Sequence, residues 1–393
     1  MDGLRAIAMT FVVWFHFWQQ TWLTPYINLP AGITNITRYI GITSIELHSF
    51  VRYGFVFVDM LILLSAFCNF YPYARAILLG ETWPDTKTFY KKRIARILPS
   101  YYMALLVMLI VMLAEGTAFS GAVCKDFFAH IFCIAPLFPE TYISPYFNGV
   151  LWTVQIEMLY YIVMPLLAKA FRKWPVIPCA GLWGIGIVSA NYIVGNHADA
   201  IRYCGNHILT FAGCYANGML LAVLYITIKK KNLENIYTRL TATIAAFGCI
   251  LHLNGMLKDL GSGELQTVQL QQRFELSLVF SVFLLALPFA CKAVKQLFSN
   301  KVVTFLAVIS YNLYIWHQYI AVKLKEYRIP YWEGDIPPNQ TGDKVWMWQY
   351  QILIVAVSLI VAVLLTYFFE RPVARRILKW HFPILKKPNK TKQ

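Results

Sequence analysis

Stretches of about 20 apolar residues recur along this chain from end to end, each close to the length a helix needs to cross a bilayer. That recurrence limits the fold more than any other feature. No soluble domain of useful size remains between the stretches, and a composition of 58% hydrophobic and 14% charged residues is not that of a soluble globule. The expected architecture is all-α and polytopic. Ten spans are predicted, at about 4–24, 50–70, 99–115, 150–171, 175–194, 208–228, 239–257, 276–294, 302–322 and 347–369. The first is longer than a signal-peptide core and lacks a small-residue cleavage site, so it is expected to be retained. Residues 1–372 form one membrane domain, and residues 373–393 a basic tail.

A net charge of +16 raises the question of nucleic acid, but the distribution of charge points to topology instead. Of the 35 lysines and arginines, 24 fall in the tail and in loops after even-numbered spans, and ten in loops after odd-numbered ones. By the positive-inside rule both termini face the cytoplasm, with the basic runs against anionic lipid and no nucleic-acid partner. The opposite loops are longer and rich in helix breakers, as at Pro136, Pro139 and Pro145, and are predicted to form a lid over an outer opening. The eight cysteines have no metal-ligand spacing, so no metal is expected. Cys124 and Cys133 share one outer loop, where a disulfide is chemically permitted.

Ionisable residues inside spans are costly and are usually kept for function. Arg5 and His16 lie eleven residues apart in the first span, about three helical turns, so they share a face roughly 16 Å apart along the axis. At about 1.5 Å per residue, His16 lies roughly 18 Å from the inner face, Asp59 roughly 16 Å and Glu157 roughly 21 Å. Three titratable groups on three spans thus fall near one level. One reading is a polar cluster that fastens helices; the other, which accounts better for a histidine at midplane, is a reaction centre or ion path. Glu157 and Tyr161 share a helix face, and the tyrosine hydroxyl is placed to orient a carboxylate. Arg93 and Arg96, three apart in the loop before the third span, form a fork suited to phosphate on the same side as Arg5. The distance from there to His16 matches an extended pantetheine arm. This geometry suits a cytoplasmic acyl-CoA with its thioester threaded into the membrane.

The chain resembles the integral-membrane acyltransferase 3 family in six elements, in order, between residues 2 and 372. They are Asp2-Gly3-Leu4-Arg5-Ala6-Ile7-Ala8 followed by His16; Gly54, Val58-Asp59 and Leu64-Ser65-Ala66-Phe67; Arg93 through Tyr102; Leu151-Trp152-Thr153 through Glu157 to Tyr161; Ser310-Tyr311 through Trp316-His317; and Glu370-Arg371-Pro372. Ala66 stands where the family usually has Gly, and Thr153 where it has Ser.

The resemblance implies transfer of an acyl group, most often acetyl, from acyl-CoA to a hydroxyl of a cell-surface or lipid-linked saccharide, at the plasma membrane of a bacterium. His16 would be the general base or a transient acyl carrier. Glu157 would orient or charge-balance it. Arg5, Arg93 and Arg96 would hold the CoA phosphates. Asp59 and Tyr161 are further catalytic candidates, and His317 and Trp152 are candidates for binding the acceptor. His317 either faces the acceptor or anchors the span at the interface. The competing class is a transporter or flippase, which should show inverted repeats; none is evident in the sequence.

Overall fold

The computed structural model describes residues 2–23, 26–28, 44–117, 119–144 and 146–380. Pro145 and the basic tail beyond residue 380 lie outside them. Among the described residues ten long helices carry the fold: α1 (Asp2–Thr21), α2 (Phe57–Leu79), α3 (Thr86–Ala114), α4 (Leu151–Lys173), α5 (Ile177–Asn196), α6 (Ala212–Lys230), α7 (Ile236–Asp259), α8 (Leu265–Ala286), α9 (Lys301–Glu326) and α10 (Lys344–Leu365). A π-helical turn, Thr366–Glu370, leads from α10 into the helix Arg371–Lys379. Eight of the ten are long and apolar enough to cross a membrane. The other two, α1 and α9, carry polar stripes that include Arg5, His16 and Gln19, and Asn312, His317 and Gln318. Two three-residue strands, Tyr26–Asn28 and Ser44–Glu46, pair antiparallel between α1 and α2.

Local chemistry sets the helix ends. Asp85, Asn235, Asn300 and Asp343 each accept a hydrogen bond from a backbone N–H of the first turn of α3, α7, α9 and α10, which satisfies donors that a helix start leaves open. Gly80 ends α2 in the left-handed region at φ 72°, where a side chain would be strained. Two boundaries differ from the sequence reading in ways that matter below. The helix α3 starts at Thr86, so Lys91, Lys92, Arg93 and Arg96 lie on the helix and not in a loop before it. The helix α8 starts at Leu265, so Arg273 lies on the helix and not in the loop. In both cases a polar first half depresses the hydropathy without breaking the helix. The segment 116–149, read as loop, contains the helix Gly121–Ile131. All eight cysteines are free, Cys124 and Cys133 among them.

Helices α2 and α6 form the centre: 78% and 67% of their apolar windows are buried, against 17% for α5. They press on each other at Gly218, where a Cβ would lie 2.3 Å from the Leu63 carbonyl oxygen. Helix α1 packs on α2 and α9, α9 on α10, and α7 on α8. The outward faces of α5, α7 and α10 are apolar, with Val188, Ile244, Leu251, Ile352 and Ile360 exposed, as a lipid-facing surface requires. Two contacts fix α3 against the end of the chain and α9. Lys91 Nζ donates to the carbonyls of Leu378 and Trp380, and Tyr311 donates to the carbonyl of Ile97.

Candidate active site

Four helices, α1, α2, α4 and α9, each line two adjoining cavities, with α3 completing one and α8 the other. The stripe on α1 shows why. Arg5 and Met9 face a cavity of about 90 Å³, while Val12, His16 and Gln19 face the other, of about 320 Å³. These residues follow one another at helical spacing along a single face. On α4, Glu157 and Tyr161 turn to the first cavity and Trp152 to the second, with Thr153 between them. The cavities share Val58, Thr153 and Tyr314. Thr153 Oγ1 and the Tyr314 hydroxyl are 2.7 Å apart, so a hydrogen bond lies at the seam.

The smaller cavity is built around positive charge. Arg5, Arg93 and Arg96 line it against a single carboxylate, Glu157. That carboxylate is clamped on one oxygen: Tyr161 donates to Glu157 Oε1 at 2.5 Å, and Ser65 donates to the same atom. Ser65 in turn accepts from Asn69 at 3.1 Å. The guanidinium of Arg93 sits 5.3 Å from the ring centre of Phe89 and 5.5 Å from that of Tyr161, so two aromatic faces hold it. Its buried Nε has no hydrogen-bond partner among the described residues. Arg96 is exposed at the mouth, in the field of Glu370, which Asn312 Nδ2 holds at 2.6 Å. An excess of guanidinium with unspent donors is chemistry for an anion, phosphate above all.

The larger cavity holds His16, and its tautomer follows from its neighbours. His317 Nδ1 lies 2.7 Å from the Tyr314 carbonyl oxygen and 3.1 Å from that of Leu313. Both are acceptors, so Nδ1 carries the proton and Nε2 a lone pair. His317 Nε2 is 2.9 Å from His16 Nδ1, which must therefore donate. His16 Nε2 is left with its lone pair free. That is the state a general base needs. His317 is fully buried, with Phe17 edge-on to its ring at 6.0 Å. It is not among the residues that line either cavity; it stands behind His16.

The polar cluster expected at one level is thus divided. Glu157 and His16 line different cavities, and no hydrogen bond joins them among the described residues. Asp59 does line the cavity of His16, but its partner is Arg273, with Nε 3.3 Å from Asp59 Oδ1. Arg273 also donates to the Gly205 carbonyl, to Thr210 Oγ1 at 2.7 Å and to Asn206 Oδ1 at 3.0 Å. Its guanidinium lies 4.1 Å from the ring centre of Phe211. Sequence reasoning missed Arg273 by placing it in a loop, and missed Ser65 although it sits within the quoted Leu64-Ser65-Ala66-Phe67. The available signal was that Ser65 lies four residues along one helix from Asn69. A repeat of polar residues at helical spacing inside an apolar span marks a polar face.

Comparisons with known proteins add a family. The chain is 27% identical to a candidate acetyltransferase of Acidianus two-tailed virus over 59% of this chain and 65% of that one. It is 24% identical to a candidate O-acetyltransferase of Staphylococcus aureus strain COL over 86% of this chain and 52% of the other. It is 31% identical to the acyltransferase MdmB of Streptomyces mycarofaciens over 48% of this chain and 44% of that one. The chain therefore spans between about half and two thirds of the length of these relatives. No solved structure matches it. The family model for an acyltransferase domain, acyltransferase 3, matches residues 1–368. The chain is a multi-pass membrane protein that belongs to the acyltransferase 3 family.

Proposed function

We propose that this protein is a membrane O-acyltransferase that moves an acyl group, acetyl first among them, from cytoplasmic acyl-CoA to a saccharide hydroxyl of the cell envelope. The observation that carries the reading is the adjacency of two unlike cavities: one with three arginines and one with an unprotonated imidazole nitrogen, meeting at Thr153 and Tyr314. In this reading Arg5, Arg93 and Arg96 hold the CoA phosphates, and the acyl end extends toward the seam. The acceptor occupies the larger cavity, where Trp152 and Phe15 offer faces for a sugar ring. His16 Nε2 takes the proton of the acceptor hydroxyl. Its oxygen attacks the thioester carbonyl, the new O–acyl bond forms, the C–S bond breaks, and the departing thiolate recovers the proton from His16. His317 holds His16 in the tautomer that makes this sequence available.

The excess of lysine and arginine in alternate loops supports both termini and the arginine-lined cavity on the cytoplasmic side of a plasma membrane. The names of the relatives, acetyltransferases and an acyltransferase, support the reaction class. The test is transfer of label from radiolabelled acetyl-CoA to a panel of hexopyranosides by the purified protein in nanodiscs. Transfer to a hydroxyl is the expected result. Absence of transfer from acetyl-, propionyl- and butyryl-CoA alike contradicts the proposal.

A further inference from the structure

The reaction above leaves a buried carboxylate of the larger cavity, Asp59, unused. Asp59 is 1% exposed and belongs to the wall of the larger cavity, along with His16. Its Oδ1 meets Arg273, while its Oδ2 is buried without a hydrogen-bond partner among the described residues. Arg273 cannot turn to serve both oxygens, because Gly205, Thr210 and Asn206 hold its other nitrogens and Phe211 lies against its face. A buried acceptor without a donor is unfavourable, and one on a residue of a cavity wall can be met by a donor on the occupant once the carboxylate turns toward it. The guanidinium already neutralises the carboxylate, which disfavours a second cation there. A neutral donor fits, and an acceptor molecule for O-acylation supplies one as a further hydroxyl.

We propose that Asp59 Oδ2 accepts a hydrogen bond from a second hydroxyl of the acceptor. The acceptor is then a polyol read at two positions, and Asp59 is a positioning residue that decides which hydroxyl meets His16 Nε2. This rests on the reading that the larger cavity takes the acceptor. Gln19, Gln266, Gln269 and Gln318, which line the same cavity, are suited to the remaining ring oxygens.

The experiment uses the full chain in nanodiscs with acetyl-CoA and methyl glucopyranoside, galactopyranoside and mannopyranoside, each with its monodeoxy analogues. For a parent that the wild type acylates, deletion of one hydroxyl other than the acylated one is expected to lower kcat/KM at least tenfold. In Asp59→Asn that penalty is expected to shrink to less than threefold, and the ester, located by NMR, to spread over more than one position. Wild-type turnover of every deoxy analogue within threefold of its parent overturns the inference while leaving O-acyl transfer intact, and needs no variant. A penalty of equal size in Asp59→Asn overturns it as well. Asp59→Glu, which keeps the charge, is expected to move the site of acylation rather than abolish it. Absence of transfer to every parent contradicts the underlying reading, and the inference with it.

Discussion

At the scale of single residues, the account gives His16 and His317 separable roles. A positioned general base contributes about 10²- to 10⁴-fold. His16→Ala is therefore expected to lower label transfer by at least about a hundredfold, with the protein still inserted, as size-exclusion chromatography in detergent would show. His317→Ala leaves His16 free to take either tautomer. It should cost about tenfold or more in kcat with the acceptor KM little changed, and His317→Gln, whose Oε1 accepts from His16 Nδ1, should recover part of the loss. Arg93→Ala with Arg96→Ala removes charge-assisted hydrogen bonds worth about 1.5–3 kcal/mol each. This double variant should raise the KM for acetyl-CoA at least about tenfold with kcat much less affected; titration of the donor at saturating acceptor measures this. The common face of Arg5 and His16 was legible because helical periodicity alone fixes it. The partner of His16 was not, because depth in the membrane says which groups share a level and not which helices face each other. Glu157, expected near the level of His16, lines the other cavity, and His317, expected near an outer end, is the contact of His16.

At the scale of elements, close packing at the centre holds the site together. Gly218 lets α6 touch the backbone of α2, which carries Asp59 on one cavity and Ser65 beside the other. Leucine at this position must push the Leu63 carbonyl aside. Such overpacking costs about 1–3 kcal/mol, so Gly218→Leu should lower the unfolding temperature in a thermal-shift assay and weaken transfer through displacement of α2. An unchanged midpoint would mean that the two helices are less tightly joined than described. The positions of the helices were readable from apolar runs; their starts at Thr86 and Leu265 were not. Both helices open with polar residues held by tertiary contacts, Lys91 on the Leu378 and Trp380 carbonyls and Arg273 on Asp59, and a hydropathy window cannot register contacts that distant in sequence. The Arg93–Arg96 pair gained from this error being corrected. On a helix, residues three apart share a face, and both do reach one cavity.

At the scale of the whole molecule, the sequence conveyed the class of fold and the family, but not the division of the interior into two chambers. That division depends on how α1, α2, α4 and α9 meet, and above all on Thr153 and Tyr314, which lie within two of the six family elements but were given no role from the sequence. The central claim is that an acyl group enters from the cytoplasmic face at the arginines and leaves on a hydroxyl at His16, across the Thr153–Tyr314 contact. Proteoliposomes of defined orientation test it most directly. Labelled acetyl-CoA is supplied on one side of the bilayer and a membrane-impermeant hexopyranoside on the other, for the wild type and for His16→Ala. The account predicts ester formation only when the donor is on the side bearing Lys91, Lys92 and the end of α10, and none in the variant. Equal ester formation with the donor on the opposite side, or undiminished turnover in His16→Ala, would contradict it.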